Sequence, residues 1–180
     1  MYLYTYRRKL LDTLRNTFFF TILMAILITA AFLVSQFAPV GYIYLIPFAW
    51  GPIITRVFYD SRTAIFIHLI TTLIVSVAVP APYVFITLQM IGGIVAVISL
   101  RDMTQRAQLA QTALFTFLAY SIVYTATSML MAGDMTNIDY HYYIYFLINA
   151  VLVICAYGLI FLFERTFGLV SNITLVELTN

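Results

Sequence analysis

The sequence predicts an all-α fold, a polytopic membrane helix bundle of six transmembrane helices with both termini cytoplasmic. Three observations predict it. Of the 180 residues, 63% are hydrophobic and 9% charged, against about 25% charged in ordinary soluble domains. Six apolar stretches, 17–37, 41–58, 63–79, 83–100, 112–131 and 142–163, have the roughly 17 to 25 residues that a helix needs to cross a hydrocarbon core of about 30 Å. Finally, every Lys and Arg falls at one side of these stretches. Arg7, Arg8, Lys9 and Arg15 precede the first, Arg56 and Arg62 sit around the second-to-third connection, Arg101 and Arg106 lie between the fourth and fifth, and Arg165 follows the sixth. Lys and Arg resist translocation, so this one-sidedness marks the cytoplasmic face.

Residues 1–16 form a cytoplasmic or interfacial segment with no cleavable signal. Arg8 and Asp12 are four apart there, with Leu10, Leu11 and Leu14 on the other side, the pattern of a short helix lying at the inner interface. The domain of six crossings spans 17–163. Ala38-Pro39-Val40 and Pro80-Ala81-Pro82 are so short that the crossings they join must be antiparallel neighbours. Crossing two carries Pro47 and Pro52 around Trp50-Gly51, which removes two backbone donors and predicts a kinked or broken helix. Crossing four contains Gly92-Gly93, a site of close helix approach. Between crossings four and five, 101–108 has no helix breaker and pairs Asp102 with Arg106 at helical spacing, so those two helices project beyond the bilayer. The outer segment 132–139 carries Asp134 and Asp139 and no cation. Tyr42, Tyr44, Tyr83, Tyr140, Tyr142, Tyr143 and Tyr145 cluster at the outer boundary, where amphipathic rings act as anchors. Residues 164–180 read as a cytoplasmic linker: Gly168 is a helix stop, and Thr174 to Glu177 matches the capping box that starts another helix.

Few residues offer chemistry. A single cysteine, Cys155, excludes an intrachain disulfide, and no Cys/His spacing indicates a metal site. Nucleic-acid binding has no basic stripe or aromatic platform outside the membrane. No intramembrane carboxylate serves a proton relay. No nucleophile, base and orienting group occur together, so the segment has no catalytic residues and needs no cofactor of its own. The candidate pocket is Trp50, His68, Gln89, Tyr120 and Asn149, where a small molecule or a lipid would sit. The simpler reading of the same residues is packing: a neutral His68 bonded to a neighbouring helix, and amides that act as interhelical glue worth about 0.6 to 2 kcal/mol each. His141, at the outer boundary, reads as solvated.

Three stretches carry a resemblance. They are Arg56 to Ala64 (RVFYDSRTA), Ser99 to Gln108 (SLRDMTQRAQ) and Phe163 to Leu178 (FERTFGLVSNITLVEL). Together they resemble the membrane region of bacterial seven-transmembrane receptors with an intracellular HD hydrolase domain. The third stretch is similar to the segment that joins the last membrane helix to the hydrolase.

The resemblance implies a multi-pass protein of the bacterial inner membrane. Its chain would contribute helices two to seven, preceded by an extracytoplasmic domain and followed by a cytoplasmic HD phosphohydrolase, in some members a cyclic di-AMP phosphodiesterase. Divalent metal ions would belong to that HD domain, none of whose motif residues occur here. By the same reading Glu164, Arg165, Phe167 and Gly168 form the signal linker. Arg56, Asp60, Arg62, Arg101, Asp102 and Arg106 form a docking surface for the hydrolase, although positive-inside anchoring explains the arginines equally well. A homodimer is compatible with the pattern. The alternative function is a six-helix membrane substrate-binding protein such as a vitamin transporter subunit. Chain length and crossing number fit it, while the short outer loops and sparse polar lining fit it poorly. A structural scaffold for a partner complex is a third reading.

Overall fold

A computed structural model describes residues 14–100, 107–132 and 138–167, and among these every regular element is a helix. In chain order they are α1 (Leu14–Phe37), a 3-10 helix (Val40–Leu45), α2 (Trp50–Phe58), α3 (Ser61–Ser76), α4 (Pro82–Ser99), α5 (Ala107–Ala132), α6 (His141–Ile154) and α7 (Ala156–Phe167). Among the described residues, five segments are long and apolar enough to cross a membrane: Thr17–Phe37, Val40–Phe58, Pro82–Ser99, Gln108–Met131 and His141–Thr166. The third predicted crossing falls short. Helix α3 stops at Ser76, and the 16 residues it contains extend about 24 Å. Beyond it the amides of Val77, Ala78 and Val79 bond back only three residues, to Ile74, Val75 and Ser76, so the chain tightens into the Pro80–Pro82 connection. At the basic end α5 starts at Ala107, ahead of the fifth apolar stretch, as expected of a helix that projects there, whereas α4 ends at Ser99. The segment before Leu14, with Arg7, Arg8 and Lys9, lies outside the described residues, as do Arg101, Asp102, Arg106, Asp134, Gly168 and the capping box at Thr174.

Neighbours in sequence are neighbours in space: α2 packs on α3, α3 on α4, α4 on α5 and α5 on α6. Two longer-range pairings close the bundle, the 3-10 helix against α6 and α2 against α7. Apolar side chains form two stacked cores. One, toward the basic end, joins Phe19, Leu23, Ile53, Ile67, Ala96, Leu109, Val153 and Phe163. The other, toward the arginine-free end, joins Leu27, Tyr44, Phe48, Val75, Phe85, Leu88, Tyr120 and Phe146. Between them along the chain lie His68, Thr71 and Thr72 of α3, Gln89 of α4, Thr116 of α5 and Asn149 of α6, all buried. The outer surface is apolar, with Phe32, Ile122, Leu130, Val151 and Phe161 exposed. A polar layer inside and hydrocarbon outside is the distribution that a bilayer solvent selects.

The second crossing is broken, and Pro47 breaks it. Pro47 has no N–H, so the Ile43 carbonyl lacks its helical donor and takes the amide of Ile46 instead, three residues on. Ile46 is extended, with φ −68° and ψ 122°. The amide of Phe48, which a continuous helix would give to Tyr44, turns to the Ile46 carbonyl at 2.9 Å. Pro52 breaks nothing. It is the third residue of α2, where its missing N–H would have no intrahelical partner anyway.

Tyr44 is a correction to the sequence reading. It is buried rather than an interfacial anchor, and its ring packs on Phe85, Phe146 and Tyr142. At the start of α6, Asp139 accepts the His141 amide at 3.0 Å and lies 2.8 Å from His141 Nδ1. These hydrogen bonds, the backbone one foremost, hold the Asp139 carboxyl below its ordinary value of 3.8. A depressed carboxyl adds stability that is present above the unfolded pKa and lost as pH falls through the folded one. A carboxyl-carbon NMR titration of Asp139 is therefore expected to give a midpoint below 3.8, and His141→Pro, which removes the bonding amide and imidazole, is expected to raise it.

Candidate functional site

The break in the second crossing leaves the Tyr44 carbonyl without a backbone donor, in the interior of the bundle. Asn149 supplies one. Its Nδ2 donates to Tyr44 O at 2.9 Å and to Ile46 O at 2.8 Å, so both amide hydrogens go to the broken segment. Two facing carbonyls fix the orientation of the amide, because its oxygen would repel them. Four residues further along the same segment, the Trp50 indole Nε1 donates to Leu152 O at 2.8 Å. That carbonyl also accepts the Cys155 amide at 3.0 Å, three residues on, at the joint between α6 and α7. Segment and helix therefore brace each other: α6 supplies the donor that the break lacks, and the segment supplies a donor at the joint of α6 and α7. Asn149 Oδ1 is buried without a partner.

A second polar group stands on α4. Tyr120 of α5 donates its hydroxyl to Gln89 Oε1 at 2.7 Å, and His68 of α3 lies with Nε2 at 2.8 Å from the Gln89 carbonyl. Since a carbonyl only accepts, Nε2 carries the proton, and Nδ1 is left buried without a partner. Gly92 and Gly93 make this arrangement fit. A side chain at Gly92 would run into the Tyr120 ring, and one at Gly93 into the His68 imidazole. The glycines admit two rings rather than bringing two helix backbones together. Thr72 Oγ1, one turn along α3 from His68, is also buried and unpartnered.

The five candidate pocket residues thus fall into two separate hydrogen-bonded groups, Trp50 with Asn149 and His68 with Gln89 and Tyr120. Their polar groups are spent largely on the protein itself, as the packing reading expects. Sequence reasoning missed the partners that are backbone carbonyls, at Tyr44, Ile46, Gln89 and Leu152. Only Pro47 signals any of them, since a proline frees the carbonyl four residues before it and disturbs those that follow.

At the basic end an aromatic knot gathers three elements. Phe19 of α1 meets Phe58 of α2 at 5.6 Å between ring centroids, Tyr59 at 5.6 Å and Phe163 of α7 at 5.3 Å. The predicted linker residues Glu164 and Arg165 follow Phe163 directly on α7, Glu164 half-buried and Arg165 exposed. Phe167 is the last residue of α7, and Gly168 is outside the described residues. Of the predicted docking surface, Arg56 lies half-buried in the last turn of α2, with its Nε unpartnered. Asp60 precedes α3 and accepts the Thr63 hydroxyl at 2.6 Å, and Arg62 is exposed. Among the described residues no three His, Cys, Asp or Glu side chains stand together as a metal site.

Fold and site together define a class, a multi-pass membrane helix bundle with a buried polar layer and an ordered helix leaving at its basic end. A family model described as 7TM receptor with intracellular HD hydrolase matches residues 1–171, and the chain belongs to that family, as its membrane region. No curated protein and no solved structure matches the chain.

Two substitutions test the site. Asn149→Leu orphans the Tyr44 carbonyl and is expected to cost about 1–3 kcal/mol in reversible unfolding in mixed micelles. Gln89→Leu is expected to destabilise because the Tyr120 hydroxyl loses its acceptor, and adding Tyr120→Phe is expected to recover most of the loss by deleting that hydroxyl.

Proposed function

We propose that this chain is the sensory and anchoring membrane domain of an HD-family phosphodiesterase of cyclic dinucleotide signalling, with cyclic di-AMP, the substrate of some members of the family it resembles, as the first to be tested. In this reading it crosses the bacterial inner membrane six times, with both termini cytoplasmic, and relays a membrane or ligand signal to the hydrolase. The observation that carries the reading is the family match over residues 1–171, which ends just beyond α7. The one-sided arginines support the orientation. α3, although 16 residues long, is then a sixth crossing completed by its tightened last turn.

The relay runs along the jointed last span. Trp50 holds the Leu152 carbonyl at the α6–α7 joint, and Phe163 ties the far end of α7 to α1 and α2. A stimulus that favours one packing of the break over another changes how α7 leaves the bundle. Such coupling requires two states that differ in affinity for the stimulus. Glu164, Arg165, Phe167 and Gly168 carry the change out of the membrane, and Arg56, Asp60, Arg62, Arg101, Asp102 and Arg106 form the face on which the hydrolase docks. The divalent metal ions of the hydrolase belong to its own domain. Neither His68, closed in by Gly93, nor His141 belongs to a metal-binding group among the described residues. The parent is read as an enzyme whose catalysis lies wholly outside this chain.

The test uses the full-length parent. Gly168→Val is expected to change its cyclic di-AMP hydrolysis at least severalfold with membrane expression intact. Unchanged kinetics would remove the linker from the relay. Native mass spectrometry of the purified chain addresses the vitamin-binding alternative, for which a stoichiometric polar ligand is the required result.

A further inference from the structure

The cleft beside Trp50 is walled in part by the braced residues Ile46, Trp50 and Leu152, but their hydrogen bonds are made within the protein and leave the cleft an apolar space. It has a volume of about 310 Å³ and lies between α1 on one side and the broken segment with Leu152 on the other. One wall runs from Ala38, just past the end of α1 at the arginine-free end, through Val34 and Ala30 to Ile26. That wall is about 18 Å long, close to one leaflet's share, about 15 Å, of a hydrocarbon core of about 30 Å. Small side chains at Ala30 and Ala38 and the bend at Pro47 keep the space open. The lining carries no charge. Its polar groups are the Trp50 indole, whose N–H is already given to Leu152 O, and the Tyr42 phenol at the arginine-free end.

These features select the occupant. Burying a polar ligand there would leave its hydrogen bonds unmade, whereas hydrocarbon loses nothing. A neighbouring helix, about 10–12 Å across with its side chains, is too thick for the space. The cleft also joins the exposed apolar face of α1, with Ile22 and Ile26, which a bilayer places against lipid.

We infer that this cleft binds one acyl chain of a bilayer phospholipid from the leaflet at the arginine-free end, with the chain's methyl end against Trp50. The occupant touches the indole that holds the α6–α7 joint, so acyl-chain packing bears on how α7 is set. That consequence rests on the relay proposed above; the binding itself does not.

Trp50 is the single tryptophan of the chain, and its emission reports the cleft directly. The 180-residue chain is reconstituted in phosphatidylcholine vesicles whose acyl chains carry bromine at successive depths. Trp50 emission is expected to be quenched increasingly as the bromine moves toward the methyl end. Ala30→Leu and Ala38→Leu, each of which fills the cleft, are expected to lower that quenching at least twofold. They are tested separately, so that a folding defect in one leaves the other as the test. Ala78→Leu, in a different groove between α1 and α3, is expected to leave it unchanged. Three results would overturn the inference. One is an unquenched Trp50 in the parent chain, and another is equal quenching in the parent chain and in both cleft-filled variants. The third is saturating quenching by a trace of brominated free fatty acid in unbrominated vesicles, which would assign the cleft to a free ligand rather than to phospholipid.

Discussion

Two hydrogen bonds from one side chain hold the broken crossing together. A backbone carbonyl inside a membrane protein has no water to fall back on, so each must find a donor within the protein. Pro47 denies the second crossing its regular ladder, and the backbone reroutes what it can: Ile46 bonds to Ile43 and Phe48 bonds to Ile46. The Tyr44 carbonyl is what remains, and Asn149 reaches it from a helix 105 residues away in sequence. Once that pairing is required, much else follows. The 3-10 helix must lie on α6, Phe48 and Phe146 must enter the same core, and the segment beyond the bend must turn Trp50 toward Leu152.

The polar layer between the two apolar cores gives the bundle its register. Pure hydrocarbon cores tolerate sliding, since one aliphatic contact substitutes for another. Directed bonds such as Asn149 to Ile46, Tyr120 to Gln89 and His68 to Gln89 do not. Gly92 and Gly93 share in this specification, because only glycine leaves room for the rings that reach Gln89. The layer also lies along one mechanical route. The bend is fixed to α6, the α6–α7 joint is fixed to Trp50, and the end of α7 is fixed by the Phe19 knot. Named contacts therefore connect the bend to the basic end.

Much of this architecture is legible in the sequence. The apolar stretches give the crossings because lipid demands length, and the one-sided arginines give the end to which each helix points. The broken helix is legible from Pro47, but the periodicity does not tell which of Pro47 and Pro52 breaks it. The answer depends on where α2 begins, since a proline in the first turn removes no bond. The α-helix of the third crossing ends three residues before its apolar stretch does, since Val77, Ala78 and Val79 are apolar but no longer α-helical. Hydropathy does not register that their amides have shifted to three-residue bonds. The buried amides were legible as polar groups at mid-membrane depth. Their grouping was not, since joining Asn149 to Tyr44 rather than to Gln89 depends on which helices touch. The joint at Cys155 has no proline, and its one mark in the sequence is Gly158, whose amide bonds back to the Cys155 carbonyl. Tyr44 reads like its neighbours in the tyrosine cluster, and its burial against Phe85 and Phe146 depends on which helices meet there.

The most direct test is a solid-state NMR distance measurement in lipid, between a ¹⁵N-labelled Asn149 side-chain amide and ¹³C-labelled carbonyls of Tyr44 and Ile46. Strong dephasing to both carbonyls, with none to the carbonyl of Val40, is the result that follows from the bend and its bonds. Absent dephasing at Tyr44 and Ile46, with a regular helical carbonyl shift at Ile46, would contradict it and would make the second crossing a continuous helix.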